Sequence, residues 1–260
     1  MHKAHEIKET PKRDSDDEGM DGDEALAMME NENAFEIERS VFPSLSSFIE
    51  RLDDNLWKSY LQLRHTDVEY LKRINDENRL LFLIDDTLCF LRPFNVEIFA
   101  ARISQTKLTY LYYKNDAIYK RIRQRNESKG SKTSTESSSS PVYFLENSEA
   151  EINSLVDLIT HHGQPRARVR ATLCQVYHHA LHNRYQEARD LLLKTHLSAM
   201  ILLQHIDNQI MFNRAITQTG MAAFRLGLIH ESHQILVEVY QNNKFRELLA
   251  QGMSKNLERT

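Results

Sequence analysis

The chain has 260 residues, 41% hydrophobic and 27% charged, with a formal net charge of -4. That is ordinary soluble composition, long enough for one elongated or two compact domains. Seven glycines and five prolines argue against a turn-dense sheet fold, and the sequence holds no glycine-rich phosphate loop or dinucleotide fingerprint.

The charge is unevenly spread. Residues 1–32 hold 11 Asp and Glu against 4 Lys and Arg, whereas the remainder holds 29 Lys and Arg against 26 Asp and Glu. The start is therefore acidic and the body mildly basic. Residues 1–39 carry too few apolar anchors to offset the entropy of ordering, which predicts a disordered acidic tail with a short helix at 23–38. Ser15, in Asp14-Ser-Asp-Asp-Glu18, stands in a context that acidophilic kinases favour, and reads equally well as a solvated acidic run. The opening residues are polar and lack the apolar segment of a secretory signal. No apolar run approaches the roughly 20 residues that cross a bilayer. A cytoplasmic protein with no membrane partner is the expectation.

Residues 40–125 read as an N-terminal helical region. Pro43 suits a helix start, and Leu45, Phe48, Ile49, Leu52, Leu56, Tyr60 and Leu63 form a stripe at helical spacing. Trp57 flanks this stripe and is expected in the core. Thr66-Asp-Val-Glu69 has the form of a capping box, opening a helix with Val68, Leu71, Ile74, Leu81, Leu88 and Leu91 inward. Pro93 ends it. A third helix is expected from about Val96 to Tyr112, with Phe99, Ile103 and Leu111 inward, and a shorter one from Asp116 to about Arg123. Cys89 and Cys174 fall on apolar helical faces, which predicts two reduced core thiols.

Residues 126–147 are a linker whose first sixteen positions are almost all Ser, Thr, Lys, Glu and Gly. Residues 148–260 form a helical-repeat region. Ser148-Glu-Ala-Glu151 reads as a second capping box, before Ile152, Leu155, Val156 and Ile159. Gly163-Gln-Pro165 closes that helix and starts the next. Between Arg168 and Gly252 two helical hairpins are legible. In the first, Val169, Leu173, Val176, Tyr177, Ala180 and Leu181 share a face, Asn183-Arg184 breaks the pattern, and Tyr185, Ala188, Leu191 and Leu192 form the next face. The second turns at Gly227, suited to the left-handed cap that ends a helix. Tyr185-Gln-Glu-Ala-Arg-Asp-Leu-Leu192 overlays Ile229-His-Glu-Ser-His-Gln-Ile-Leu236. Such pairs bury their faces by stacking into a solenoid.

This stretch resembles the helical-repeat part of the C subunit of eukaryotic translation initiation factor 3. The resemblance rests on Tyr177, His178, His179, Ala180 and His182 in Tyr177-His-His-Ala-Leu-His-x-Arg184, followed by Ala188, Arg189 and Asp190 in Gln186-x-Ala-Arg-Asp-Leu. It continues through Asn213 and Arg214, then Gly220, Phe224 and Gly227, and ends in Arg246-Glu-Leu-Leu-Ala-Gln-Gly, with Glu247, Leu248 and Gly252. Weaker similarity reaches back to about Ser46. The resemblance implies the helical part of the PCI domain shared by the proteasome lid, the signalosome and initiation factor 3. It also implies other subunits of that factor as partners, with the small ribosomal subunit and its rRNA or mRNA within the complex. The family's winged helix and extended N-terminal region are not found in this sequence, so it looks like an abbreviated or divided version.

Side-chain chemistry adds little that is catalytic. His178 and His182 have the one-turn spacing of paired zinc ligands, with His161-His162 as a further candidate. No glutamate follows His178 to serve as a base, and packing at the hairpin is the preferred reading: no metal, no cofactor. Both cysteines lie inside apolar stripes, where a thiol stays protonated. Asp53-Asp54 and Asp85-Asp86 read as solvated faces. Two basic runs, Arg166, Arg168, Arg170 and Arg121, Arg123, Arg125, could meet RNA phosphates or partner carboxylates. The sequence thus predicts an all-α, TPR- or HEAT-like solenoid, non-enzymatic and without a small-molecule substrate. The expected role is to scaffold initiation factor 3, or else to serve another complex of the same domain type or bind RNA weakly.

Overall fold

The computed structural model of the chain describes residues 22–64, 66–118, 120, 121, 124, 143, 145 and 147–241, without the side chains of residues 22–40, Leu71 and Gln241. Among these residues every regular element is helical and none is a strand. The α-helices are α1 (Gly22–Gln62), α2 (Val68–Leu91), α3 (Glu97–Leu111), α4 (Ser148–His162), α5 (Pro165–Leu181), α6 (Tyr185–Lys194), α7 (Leu197–Met200), α8 (Ile206–Arg225) and α9 (Ile229–Gln241). Short 3-10 turns follow α2 at Arg92–Phe94 and α7 at Ile201–Leu203. Residues 116–118 form a further helical turn.

The chain divides into two units, Met1–Phe42 and Pro43–Thr260. In the first, residues 22–42 are helical in backbone. They include the stretch where the sequence suggests only a short helix. The tail 1–21 with Ser15, the low-complexity residues 126–142 and the final match at Glu247, Leu248 and Gly252 lie outside the described residues.

In the second unit the helices pack mainly on their neighbours in sequence. α2 lies on α3, α3 on α4, α4 on α5 and α5 on α6, while α8 packs on both α5 and α9. This is a stack of hairpins, α5–α6 beneath α8–α9, as expected of a solenoid. Apolar side chains at helical spacing fill it: Ile103, Leu108 and Leu111 of α3, Ile152 and Ile159 of α4, Leu173 and Val176 of α5, Phe212, Ala215 and Ala222 of α8.

The two hairpins turn in the same way. At the first, Asn183 takes a left-handed φ of 63°. Its N–H donates to Ala180 O at 3.1 Å, and Arg184 N–H donates to His179 O at 2.9 Å. At the second, Gly227 has φ of 79°, its N–H donates to Phe224 O at 3.0 Å, and Leu228 N–H donates to Ala223 O at 2.9 Å. A six-residue bond closing over a left-handed residue is the Schellman end of a helix. The overlay of residues 185–192 on 229–236 is therefore a true structural repeat.

Several local expectations are corrected. Pro43 lies inside α1, where its missing N–H leaves a carbonyl without a helical partner. Neither capping box forms. α2 is preceded by Asp67, with no side-chain cap, and Glu69 pairs along the helix with Lys72 at 3.3 Å. α4 is capped by Asn147, whose side chain accepts from Ala150 N–H, because the Ser148 hydroxyl is drawn to His178. Trp57 is 48% exposed and Cys89 is exposed, so neither belongs to the core. Val68 and Ile74 likewise face outward, while Leu80, Leu81 and Ile84 carry the buried face of α2.

Candidate interaction surface and histidine cluster

α5 ends in three histidines because its last turn meets α4, α6 and the turn at Asp116. His178 is buried, and its Nε2 lies 3.0 Å from Ser148 Oγ. Burial, helped by His182 and Arg184, pushes its pKa down to about 3, so the ring is neutral. His179 is buried too, 3.2 Å from Glu187 of α6, and is held below the usual imidazole range by burial and then by Arg184. His182 donates from Nδ1 to His178 O at 2.9 Å and stands 3.7 Å from Asp116 Oδ2. Arg184 pairs with Glu149 of α4. All three rings are therefore engaged with neighbouring groups of the hairpin. His161 and His162, the alternative donors, are turned elsewhere, His161 Nδ1 to Asp157 O and His162 Nε2 to Glu97.

A second buried polar group joins three elements. Lys107 of α3, 4% exposed at its side chain, reaches Asp85 of α2 at 2.7 Å and pairs with Glu151 of α4. Tyr143, in the last part of the linker, donates its hydroxyl to Asp85 at 2.5 Å. This part of the linker is therefore held against α2.

Two of the arginines singled out in sequence, Arg166 and Arg168, have hydrogen-bond partners within the chain. Arg166 meets Asp207 at 2.5 Å and His205 Nδ1 at 3.0 Å. Arg168 donates to Gly163 O at 2.8 Å, crossing the end of α4. Arg170 is half-buried, and its charge bears on Asp53. Arg121 is exposed, while Arg123 and Arg125 fall outside the described residues.

The other motif residues are divided between core and surface. Ala180, Ala188, Asn213 and Gly220 are buried. The ring of Tyr177 meets that of Tyr112 edge-on, with centroids 5.1 Å apart, and Arg214 bonds the Tyr112 hydroxyl. Arg189, Asp190 and Phe224 are exposed. Apolar side chains continue outward beside Phe224, with Met221, Leu226 and Ile229 exposed around the second turn. Leu202 and Leu203, in the 3-10 turn between the hairpins, are 79% and 84% exposed.

The family model described as the N-terminus of eukaryotic translation initiation factor 3 subunit 8 matches residues 9–260. The chain belongs to that family. Relatives named as the C subunit of eukaryotic translation initiation factor 3 agree. The one from Sclerotinia sclerotiorum is 31% identical over 91% of this chain and 28% of its own length. The one from Coccidioides immitis is 33% identical over 81% and 25%, and that from Schizosaccharomyces pombe 31% over 81% and 23%. The chain spans about a quarter of the length of these relatives. Membership of the family, as the motifs implied, is shown by the match, and the all-helical architecture by the structure. Sequence reading missed Asp116 and Ser148 as neighbours of the histidines. Both lie far from α5 in sequence, and only the stacking of helices brings them there.

Proposed function

We propose that the chain is a structural scaffold within translation initiation factor 3, gripped by other subunits of that factor. Through them it would support assembly of the preinitiation complex on the small ribosomal subunit in the cytoplasm. The observation that carries this reading is the pairing of a filled helical core with the exposed apolar turns at Leu202–Leu203 and Met221–Ile229. The family's name supports the choice of complex. Action is by binding surface, with no bond made or broken, no small-molecule substrate and no membrane contact. In keeping with this, burial pushes the Cys174 thiol up to about 12, leaving no nucleophilic thiolate there. Among the described residues no helix is long and apolar enough to cross a membrane.

Affinity purification of the tagged chain from cells tests the reading. Recovery of other initiation factor 3 subunits, lost on Leu203→Asp while the fold is kept, supports it. Recovery of proteasome-lid or signalosome subunits in their place would assign the chain to another complex of that domain type. Direct RNA contact is the weaker reading, since Arg166 and Arg168 are already bonded within the chain. A gel shift with unstructured RNA, unchanged by reversing Arg121 to glutamate, would remove it.

A further inference from the structure

The last turn of α5 and the turn at Asp116 bring together a ring nitrogen of His178, a ring nitrogen of His182 and a carboxylate oxygen of Asp116, all within 4.8 Å of one another. We propose that these three groups form a binding site for a divalent transition-metal ion, zinc by preference, with a water completing the shell. The site is independent of the scaffold role proposed above.

His182 points to the cation first. Its Nδ1 faces the His178 carbonyl at 2.9 Å, and a carbonyl can only accept, so the proton sits on Nδ1. In the neutral ring Nε2 then carries the lone pair, which takes a long bond of 3.5 Å from the Asp116 backbone N–H and also faces Asp116 Oδ2 at 3.7 Å. A cation between these two acceptors would replace that long, weak bond with a close contact to both. A zinc ion with bonds of about 2.0–2.1 Å holds tetrahedral ligand atoms about 3.3 Å apart, a small contraction from the spacing observed. The carbonyl behind His182 is the outer partner that fixes tautomer and ring direction in metal-binding histidines. His178 adds the third donor one helical turn away, steadied from α4 by Ser148 Oγ at 3.0 Å.

Two further features fit. A void with room for about 20 Å³, lined by Asp116 and Ser148 among others, opens beside the cluster. One water needs about 10–15 Å³, so a fourth ligand has a place. The neighbouring cations are already matched, Lys114 to Glu77 at 2.5 Å and Arg184 to Glu149. Two imidazoles with one carboxylate suit zinc, whereas calcium and magnesium take oxygen shells. The similar group Glu149, His179 and Glu187 is a poorer candidate, because the Arg184 guanidinium already lies on Glu149.

The test uses the whole chain, stripped with EDTA and dialysed. Zinc is titrated by calorimetry, and cobalt(II) is followed by visible absorption for the intense bands of a four-coordinate ion. One equivalent of each should bind, with zinc affinity weakened at least tenfold in Asp116→Asn and in His182→Gln and unchanged in His205→Gln. Asp116→Asn alters a partly exposed carboxylate, so its fold can be verified by circular dichroism before titration. No saturable uptake by the parent chain overturns the proposal. So does equal affinity in parent and Asp116→Asn, which would leave His182 paired to Asp116 by a proton only.

Discussion

Gly220 of α8 faces Ile235 of α9 so closely that a β-carbon at position 220 would stand 2.9 Å from the Ile235 Cγ2 methyl. The glycine lets the two helices of the second hairpin approach. Alanine would favour the helix by about 1 kcal/mol on propensity alone, but overpacking at a branched side chain typically costs about 1–3 kcal/mol. Gly220→Ala should therefore be destabilised by about 1 kcal/mol in urea unfolding, and the added change Ile235→Ala should remove that penalty in a double-mutant cycle.

Lys107 should be more costly to remove. Its ammonium is shut between Asp85 and Glu151, and deleting it strands two carboxylates that water reaches only in part. Lys107→Met is expected to lose about 3 kcal/mol, below the upper range for a buried pair because both acids are about one-third exposed. Asp85→Asn in the same chain keeps an acceptor for the Tyr143 hydroxyl and should restore part of the loss. A Lys107→Met chain as stable as the parent would show that the ion pairs contribute nothing.

The two thiols should part company in a labelling experiment. Cys89 is exposed and Cys174 is buried with its pKa raised to about 12. Iodoacetamide at about pH 8 should modify Cys89 alone, with Cys174 reached only after denaturation. Peptide mass spectrometry reads the result directly.

Asp53 should leave a signature in pH. Burial raises its pKa above the ordinary 3.8, outweighing the Tyr110 hydroxyl bonded to it. The folded state thus holds this proton more tightly than the unfolded chain. Its contribution is complete below the ordinary value and is lost as pH rises through the raised one. Asp53→Asn keeps the acceptor and removes the titration. Its stability relative to the parent should grow from about pH 4 to pH 7, and a gap that narrows instead would contradict the assignment.

Helix positions and the repeat were legible because they follow from spacing: Leu173, Val176 and Ala180 recur on one face and are buried together. Gly227 was legible because its backbone freedom has one common use. What failed was local competition. The Ser148 hydroxyl fits a cap, but a buried histidine from another helix outcompetes the backbone N–H for it. Trp57 and Cys89 sit next to apolar stripes, and a stripe's edge cannot be told from its centre until the opposing helix is known. The meeting of Asp116 with His182 lay beyond any window of sequence, since it depends on how α5 packs.

Arg225, at the end of α8, reaches back to donate to Asn183 Oδ1 at 2.6 Å and to Ala180 O at 3.0 Å. The Ala180 carbonyl at the tail of α5, already bonded to the Asn183 N–H, thus takes a second bond from a side chain of the following hairpin. An engineered stop near Gln204 would remove that bond along with the cover that α8 gives to α5. The upstream half should then fray from its own last turn, so the two hairpins are inherited and lost together.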